Sequence, residues 1–223
     1  NANMIISGAF GLFEKKTVIA VGGYDSSTMG EDMELVVRLH EFSRMNRKPY
    51  KIDFAQDAIC WSQTPEKLSE LGKQRKRWQR GLFQCMWGHR KMLANPRYGA
   101  VGLLSYIYFL FYELLSPFIE LFGILTMVLS VMMDMLNVKF MLAFLACYAL
   151  YGILLTLTAY FSRIYTIDQK LSFRELILAI VACFFETTFL RFYLAFVRVT
   201  AFVGYKKNKL NWGKLERKKM NGI

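Results

Sequence analysis

The chain has 223 residues, a formal charge of +12 and 54% hydrophobic residues. That pairing is unusual for a soluble domain and common where a protein meets a membrane from the cytoplasm. Residues 1–100 hold 16 Lys/Arg against 10 Asp/Glu, and residues 101–223 hold 13 against 7, so the excess is not confined to one half; no nucleic-acid motif accompanies it, whereas anionic lipid and nucleotide phosphates fit it.

The four cysteines (Cys60, Cys85, Cys147, Cys183) form no CxxC pair, which predicts reduced core or lipid-facing residues and no metal site. His40 and His89 are too few and too far apart for a zinc site and are expected on the surface or packed. Residues 1–6 lack the basic start, long apolar core and cleavage site of a signal peptide. The expectation is a chain entered partway into a domain, a piece of a longer protein.

Residues 4–13 are apolar, β-branched and aromatic, with Gly8 and Gly11 among them. They predict a buried strand with a close backbone approach at Ser7-Gly8-Ala9. A short helix is expected over 14–21, stopped by Gly22-Gly23, and then a polar loop over 24–29. At Gly30-Glu31-Asp32-Met33-Glu34 the apolar spacing becomes helical and continues to about Met45. Three carboxylates therefore crowd one first turn. The helix N-terminus stabilises their anions, while mutual repulsion pushes at least one pKa up. Acids here are ordinary for a first turn, Glu34–Arg38 being an i,i+4 pair; a catalytic cluster is the lesser reading of them. Residues 44–51 form a basic turn, and 51–55 and 58–62 have the character of two short strands. The fold class expected is α/β, with few strands.

Thr64-Pro65-Glu66 is a helix start, a hydroxyl cap followed by proline and an acid. With no breaker before Gly81, a helix is expected over 66–80. On it Gln74, Arg77 and Trp78 fall at i, i+3 and i+4 and share a face. A guanidinium fork suits a diphosphate, and an indole suits the apolar face of a sugar ring. The same pattern also describes a basic amphipathic helix lying on a membrane with Trp78 as its anchor.

Residues 95–99 break this helix. Residues 101–133 are apolar except for Glu113 and Glu120, which predicts an interfacial or kinked part to Leu115 and a span over 117–133. A clean second span follows over 140–161, and residues 163–175 form a cytoplasmic loop. The stretch 176–203 contains Glu186, Arg191 and Arg198. Charges at mid-bilayer cost roughly 2.5–3.5 kcal/mol each, and the basic tail belongs inside. A break near Thr187-Thr188 is therefore expected, making a hairpin or a dipping plus interfacial helix. The domains expected are 1–98, a membrane region over 99–204 and a basic cytoplasmic tail over 205–223.

Gly30-Glu31-Asp32, followed some forty residues later by Gln74-Arg75-Lys76-Arg77-Trp78, resembles the second half of a membrane-embedded family-2 glycosyltransferase, the group of cellulose, hyaluronan and poly-N-acetylglucosamine synthases. Ser7-Gly8-Ala9-Phe10 stands where that family has a Gly-containing acceptor motif, and Gly22-Gly23-Tyr24 also matches. The resemblance covers residues 1 to about 98 closely and the membrane part more loosely. It implies the C-terminal half of a GT-A domain followed by a transmembrane helical region, at the inner or plasma membrane, with the catalytic part cytoplasmic. By the same resemblance, Asp32 is the general base and Glu31 positions it. Arg77 holds the leaving diphosphate, Trp78 stacks on the acceptor sugar, and Gln74, Ser7 and Gly8 contact substrate. The implied partners are a nucleotide-sugar donor, probed first as a UDP-sugar, a glycan or lipid acceptor, the bilayer and unidentified synthase subunits; nucleic acid is not among them. The family's DxD motif is absent, so the implied Mg²⁺ or Mn²⁺ would be held by residues upstream of Asn1. Polymer synthesis, transfer of one sugar to a lipid, and a non-catalytic anchor or assembly role all remain open. In the first, Glu186 and Arg191 could line a polymer path.

Overall fold

The regular structure is helical throughout among the described residues, which are all residues except 1, 7, 9, 48–50, 54, 56, 57, 59, 61, 168–171 and 207–223 of the computed structural model. The described residues divide into two compact units, Asn1–Pro117 with Val197–Ile223, and Phe118–Phe196.

In the first unit, α1 (Lys15–Ala20) ends at Gly22 and Gly23, both with positive φ (91° and 75°), as the glycine pair leads one to expect. Helix α2 (Glu31–Met45) is buried through its middle, from Met33 to Val37 and at Leu39 and His40, with Leu35, Val36 and Val37 fully inside. Helix α3 (Leu68–Gly88) packs against it. Met33 and Val37 of α2, Cys85 and Met86 of α3, and Met92, Tyr98, Val101 and Tyr106 beyond α3 share one core with Met4.

Two expectations are corrected here. Helix α3 starts at Leu68 because Lys67 is extended (φ −107°, ψ 140°), which leaves Thr64-Pro65-Glu66 outside the helix and Thr64 without a capping role. It also passes through Gly81, which is not a breaker. A Cβ on Gly81 would lie 2.7 Å from Gly30 N and 2.9 Å from Gly30 Cα. The glycine is there because two backbones touch.

The second correction concerns the strands. Among the described residues there is no strand at 4–13, 51–55 or 58–62; the rest of those stretches lies outside the described residues. Met4 is buried, but Ile5, Phe10 and Leu12 are exposed. A strand persists through pairing with a neighbour, and the described residues of these segments form no strand ladder. The expected close approach does occur at Gly8, as described below.

The chain leaves the core through two π-turns, Val101–Ser105 and Phe109–Leu114, separated by the short α4 (Tyr106–Tyr108), and enters α5 (Ser116–Met132). In the second unit, α6 (Val138–Ile167) and α7 (Phe173–Phe185) follow, and α8 (Arg191–Val199) continues α7 through a π-turn at Glu186–Leu190. Ser172 and Glu175 close a capping box at the start of α7. Val138–Thr166 and Phe173–Phe202 are each long and apolar enough to cross a membrane.

The hairpin expected near Thr187-Thr188 is not formed. The disturbance takes the form of the π-turn, with the Thr187 and Thr188 hydroxyls donating to the carbonyls of Cys183 (2.9 Å) and Phe184 (2.7 Å). The charge meant to force a break is compensated. Arg191 donates to Glu120 Oε1 through Nη2 (2.8 Å) and Nε (3.1 Å) and lies 5.4 Å over the Tyr148 ring. A paired guanidinium removes most of the reason to leave an apolar environment.

Candidate functional site

Asp32 sits in the first turn of α2, whose opening bond is Glu34 N–H to Gly30 carbonyl (2.9 Å). Its carboxylate is held from two sides. Oδ1 accepts the Met33 N–H (2.8 Å), and Oδ2 accepts the Gly8 N–H (3.2 Å). A Cβ on Gly8 would stand 2.9 Å from Oδ2, so any larger residue there displaces the acid. Two N–H donors fix the carboxylate's direction.

The loop before α2 is tied to α3. Gln84 Oε1 accepts from the Thr28 hydroxyl (3.1 Å) and the Met29 N–H (2.8 Å). Together with the Gly30–Gly81 contact, these bonds set the acidic turn beside the basic helix. The result is a cavity of about 660 Å³ lined by Glu31 and Asp32 from α2, Arg75, Arg77 and Trp78 from α3, and Tyr108 and Glu113 beyond them. The volume is that of a small-molecule cleft.

Of the residues singled out in the sequence, Asp32, Glu31, Arg77 and Trp78 line this cavity, and Gly8 reaches it through its bond to Asp32. Gln74 is half-buried on α3 and is not among the lining residues. Ser7 lies outside the described residues. Trp78 is 49% exposed, with the Arg75 guanidinium 4.6 Å over its ring. One indole face is therefore occupied by a cation.

Among the lining residues not singled out for the site are four with charged or amide side chains, Arg75, Gln79, Glu113 and Arg198. Gln79 is 2% exposed. Its Nε2 donates to the Leu114 carbonyl (2.9 Å), and its Oε1 accepts from Arg198 Nε (2.7 Å). Arg198 also donates to the Glu113 carbonyl. In the sequence Gln79 is one more polar residue on a basic helix, and nothing local links it to a residue 119 positions later.

Behind the cavity, His89 joins α3 to α2. Its Nδ1 meets Glu41 (2.7 Å), its Nε2 meets Glu34 (3.3 Å), and Glu34 also takes Arg38 (2.6 Å). Burial pulls the His89 pKa down, but the hydrogen bonds and charges of Glu34 and Glu41 outweigh it, leaving the pKa raised. His40 goes the other way. Burial lowers its pKa, against a hydrogen bond with the Asn3 carbonyl (2.8 Å). Both histidines are packed and belong to the scaffold. Burial pushes the Cys85 thiol up, which makes it inert.

Among the described residues there is no group of three or more His, Cys, Asp or Glu side chains placed to hold a metal. In the cavity three arginines accompany three carboxylates, a poor host for a divalent cation. These residues do not fit a divalent cation themselves, and the resemblance places the ligands of the implied Mg²⁺ or Mn²⁺ upstream of Asn1.

The family model described as "Glycosyl transferase family group 2" matches residues 2–197. Poly-beta-1,6-N-acetyl-D-glucosamine synthases from Staphylococcus aureus (strains COL and MSSA476) are 37% identical to the chain over 90 residues, and that of Staphylococcus epidermidis (strain ATCC 35984) is 36% identical. The match covers 40% of this chain and 19% of each of those proteins. The matched segment thus spans about a fifth of the length of the curated relatives. No solved structure matches.

Proposed function

The chain belongs to glycosyl transferase family group 2, and from that premise we propose that it carries the acid and the acceptor platform of an inverting hexosyltransferase that extends a polysaccharide at the cytoplasmic face of a membrane. The observation that carries this reading is the shared cavity of Asp32, Arg77 and Trp78. In the proposed step, an acceptor hydroxyl oxygen attacks the anomeric carbon of a nucleotide-sugar. Its proton passes to the Asp32 carboxylate, and the bond from that carbon to the diphosphate breaks, the electron pair leaving with the diphosphate. Gly8 and Met33 hold the carboxylate in place as it takes the proton. Arg77 receives the charge that develops on the leaving group. The indole of Trp78 supports the acceptor ring on the face that Arg75 does not cover. The relatives are poly-N-acetylglucosamine synthases, which makes N-acetylglucosamine the first sugar to try, carried on UDP. The bilayer is the expected surroundings of the two apolar helices, and the α/β half of a GT-A domain is the expected setting of the first unit.

The test is transfer from radiolabelled UDP-N-acetylglucosamine by the full-length enzyme in membranes. Asp32→Asn should abolish transfer and retain UDP binding. Arg77→Lys should lower kcat/KM by about two orders of magnitude, because the planar fork is lost. Normal turnover in Asp32→Asn ends the proposal. Long labelled polymer supports polysaccharide synthesis, and a single glycolipid assigns transfer to lipid in its place.

A further inference from the structure

The cavity has a second polar feature that no motif contains. Arg198 follows immediately after the stretch matched by the family, which stops at residue 197, and Glu113 lies in a π-turn, a deformation often found at functional sites. The Arg198 guanidinium stands 3.7 Å from Glu113 Oε2, with the two side chains 22% and 42% exposed. Their setting is fixed from behind. Gln79, which follows Trp78 on α3 and is buried, spends both ends of its amide on the arrangement, Nε2 on the Leu114 carbonyl and Oε1 on Arg198 Nε. The Arg198 Nη2 to Glu113 carbonyl bond completes it. A buried amide satisfied at both ends holds its partners in one geometry.

The chemistry of the pair selects its ligand. A diphosphate is attracted by the guanidinium and repelled by the carboxylate, and a cation meets the reverse. A pair of neighbouring sugar hydroxyls suits both, because each hydroxyl donates to a carboxylate and accepts from a guanidinium. Trp78 and Tyr108 line the same cavity and offer flat surfaces to ring faces. We propose that Glu113 and Arg198, positioned by Gln79, form a carbohydrate subsite that binds the hydroxyls of a neutral acceptor unit behind the one being extended. The acceptor is then an oligosaccharide, recognised over more than its terminal sugar. The proposal rests on the glycosyltransferase reading above.

The test uses the full-length enzyme in membranes, UDP-N-acetylglucosamine as donor, and β-1,6-linked N-acetylglucosamine monomer and trimer as acceptors. Arg198→Gln and Glu113→Gln should each raise KM for the trimer at least about tenfold and remove its advantage over the monomer. KM for the donor should stay where it was. Glu113→Gln is isosteric and partly exposed, and it carries the test if Arg198→Gln does not fold. The subsite is overturned by a rise in donor KM with trimer KM unchanged, by no change in either, or by an equal loss for monomer and trimer, which is what a purely structural strut would give. Wild-type enzyme that transfers sugar but shows no preference for trimer also overturns it, leaving the glycosyltransferase reading intact. An enzyme that transfers no sugar at all overturns both.

Discussion

His89 shows what a single side chain does for this scaffold. It bridges two carboxylates of α2 from the end of α3, and its pKa is raised above the usual 6.5. A group bound more tightly to its proton when folded stabilises the fold fully below pH 6.5, and that contribution is lost as pH rises through the folded value. His40, with its pKa lowered, has the opposite sign, so the two partly cancel in the whole protein. Comparing His89→Gln with wild type separates them, since His40 is common to both. The thermal destabilisation caused by His89→Gln should be larger at pH 6 than at pH 9, by about 1–3 kcal/mol at the acidic end. A difference in melting temperature that stays constant with pH would remove His89 from this role. The sequence displayed the acids at 31, 32 and 34 and the Glu34–Arg38 pair, because helical spacing is local. It did not display Glu34 as His89's partner, since that contact joins residues 55 apart.

At the scale of elements, the site depends on how closely α2 and α3 meet. Gly81 lies inside a helix, where alanine would ordinarily stabilise by about 1 kcal/mol. Here a Cβ would lie 2.7 Å from the Gly30 nitrogen, and backbone cannot move aside as a side-chain tip can. Gly81→Ala should therefore cost about 1–3 kcal/mol and reduce transfer more than it reduces stability, because the acidic turn shifts relative to Trp78. Full activity in a Gly81→Ala enzyme, measured by polymer synthesis, would show that the contact is dispensable. The extent of α2 was legible from its period and its acidic opening. The length of α3 was not, because a glycine's effect as a breaker and its effect as a point of contact look the same in one dimension. The strands expected at 4–13, 51–55 and 58–62 are not formed among the described residues, and apolar, β-branched content does not by itself name the neighbour a strand must pair with.

At the scale of the whole molecule, the apolar helices carry one charge pair that the sequence could not match up, Arg191 with Glu120, 71 positions apart. It joins α8 to α5, while Tyr148 brings in α6. Glu120→Ala removes the carboxylate to which the Arg191 guanidinium donates twice, a loss of about 1–3 kcal/mol. The melting temperature in detergent should fall, and the double change Glu120→Ala with Arg191→Leu should recover most of it. No loss in the single variant would mean that the pair contributes nothing. Gln79 has a different consequence at this scale. One amide grips Leu114, just ahead of the apolar helices, and Arg198, near their end. A polypeptide that sets out and comes back to the same side chain has gone round a closed excursion. In a bilayer such an excursion has even parity: whatever crosses must cross back. Between those two residues lie Val138–Thr166 and most of Phe173–Phe202, the two helices long and apolar enough to cross a membrane, and two crossings satisfy that parity.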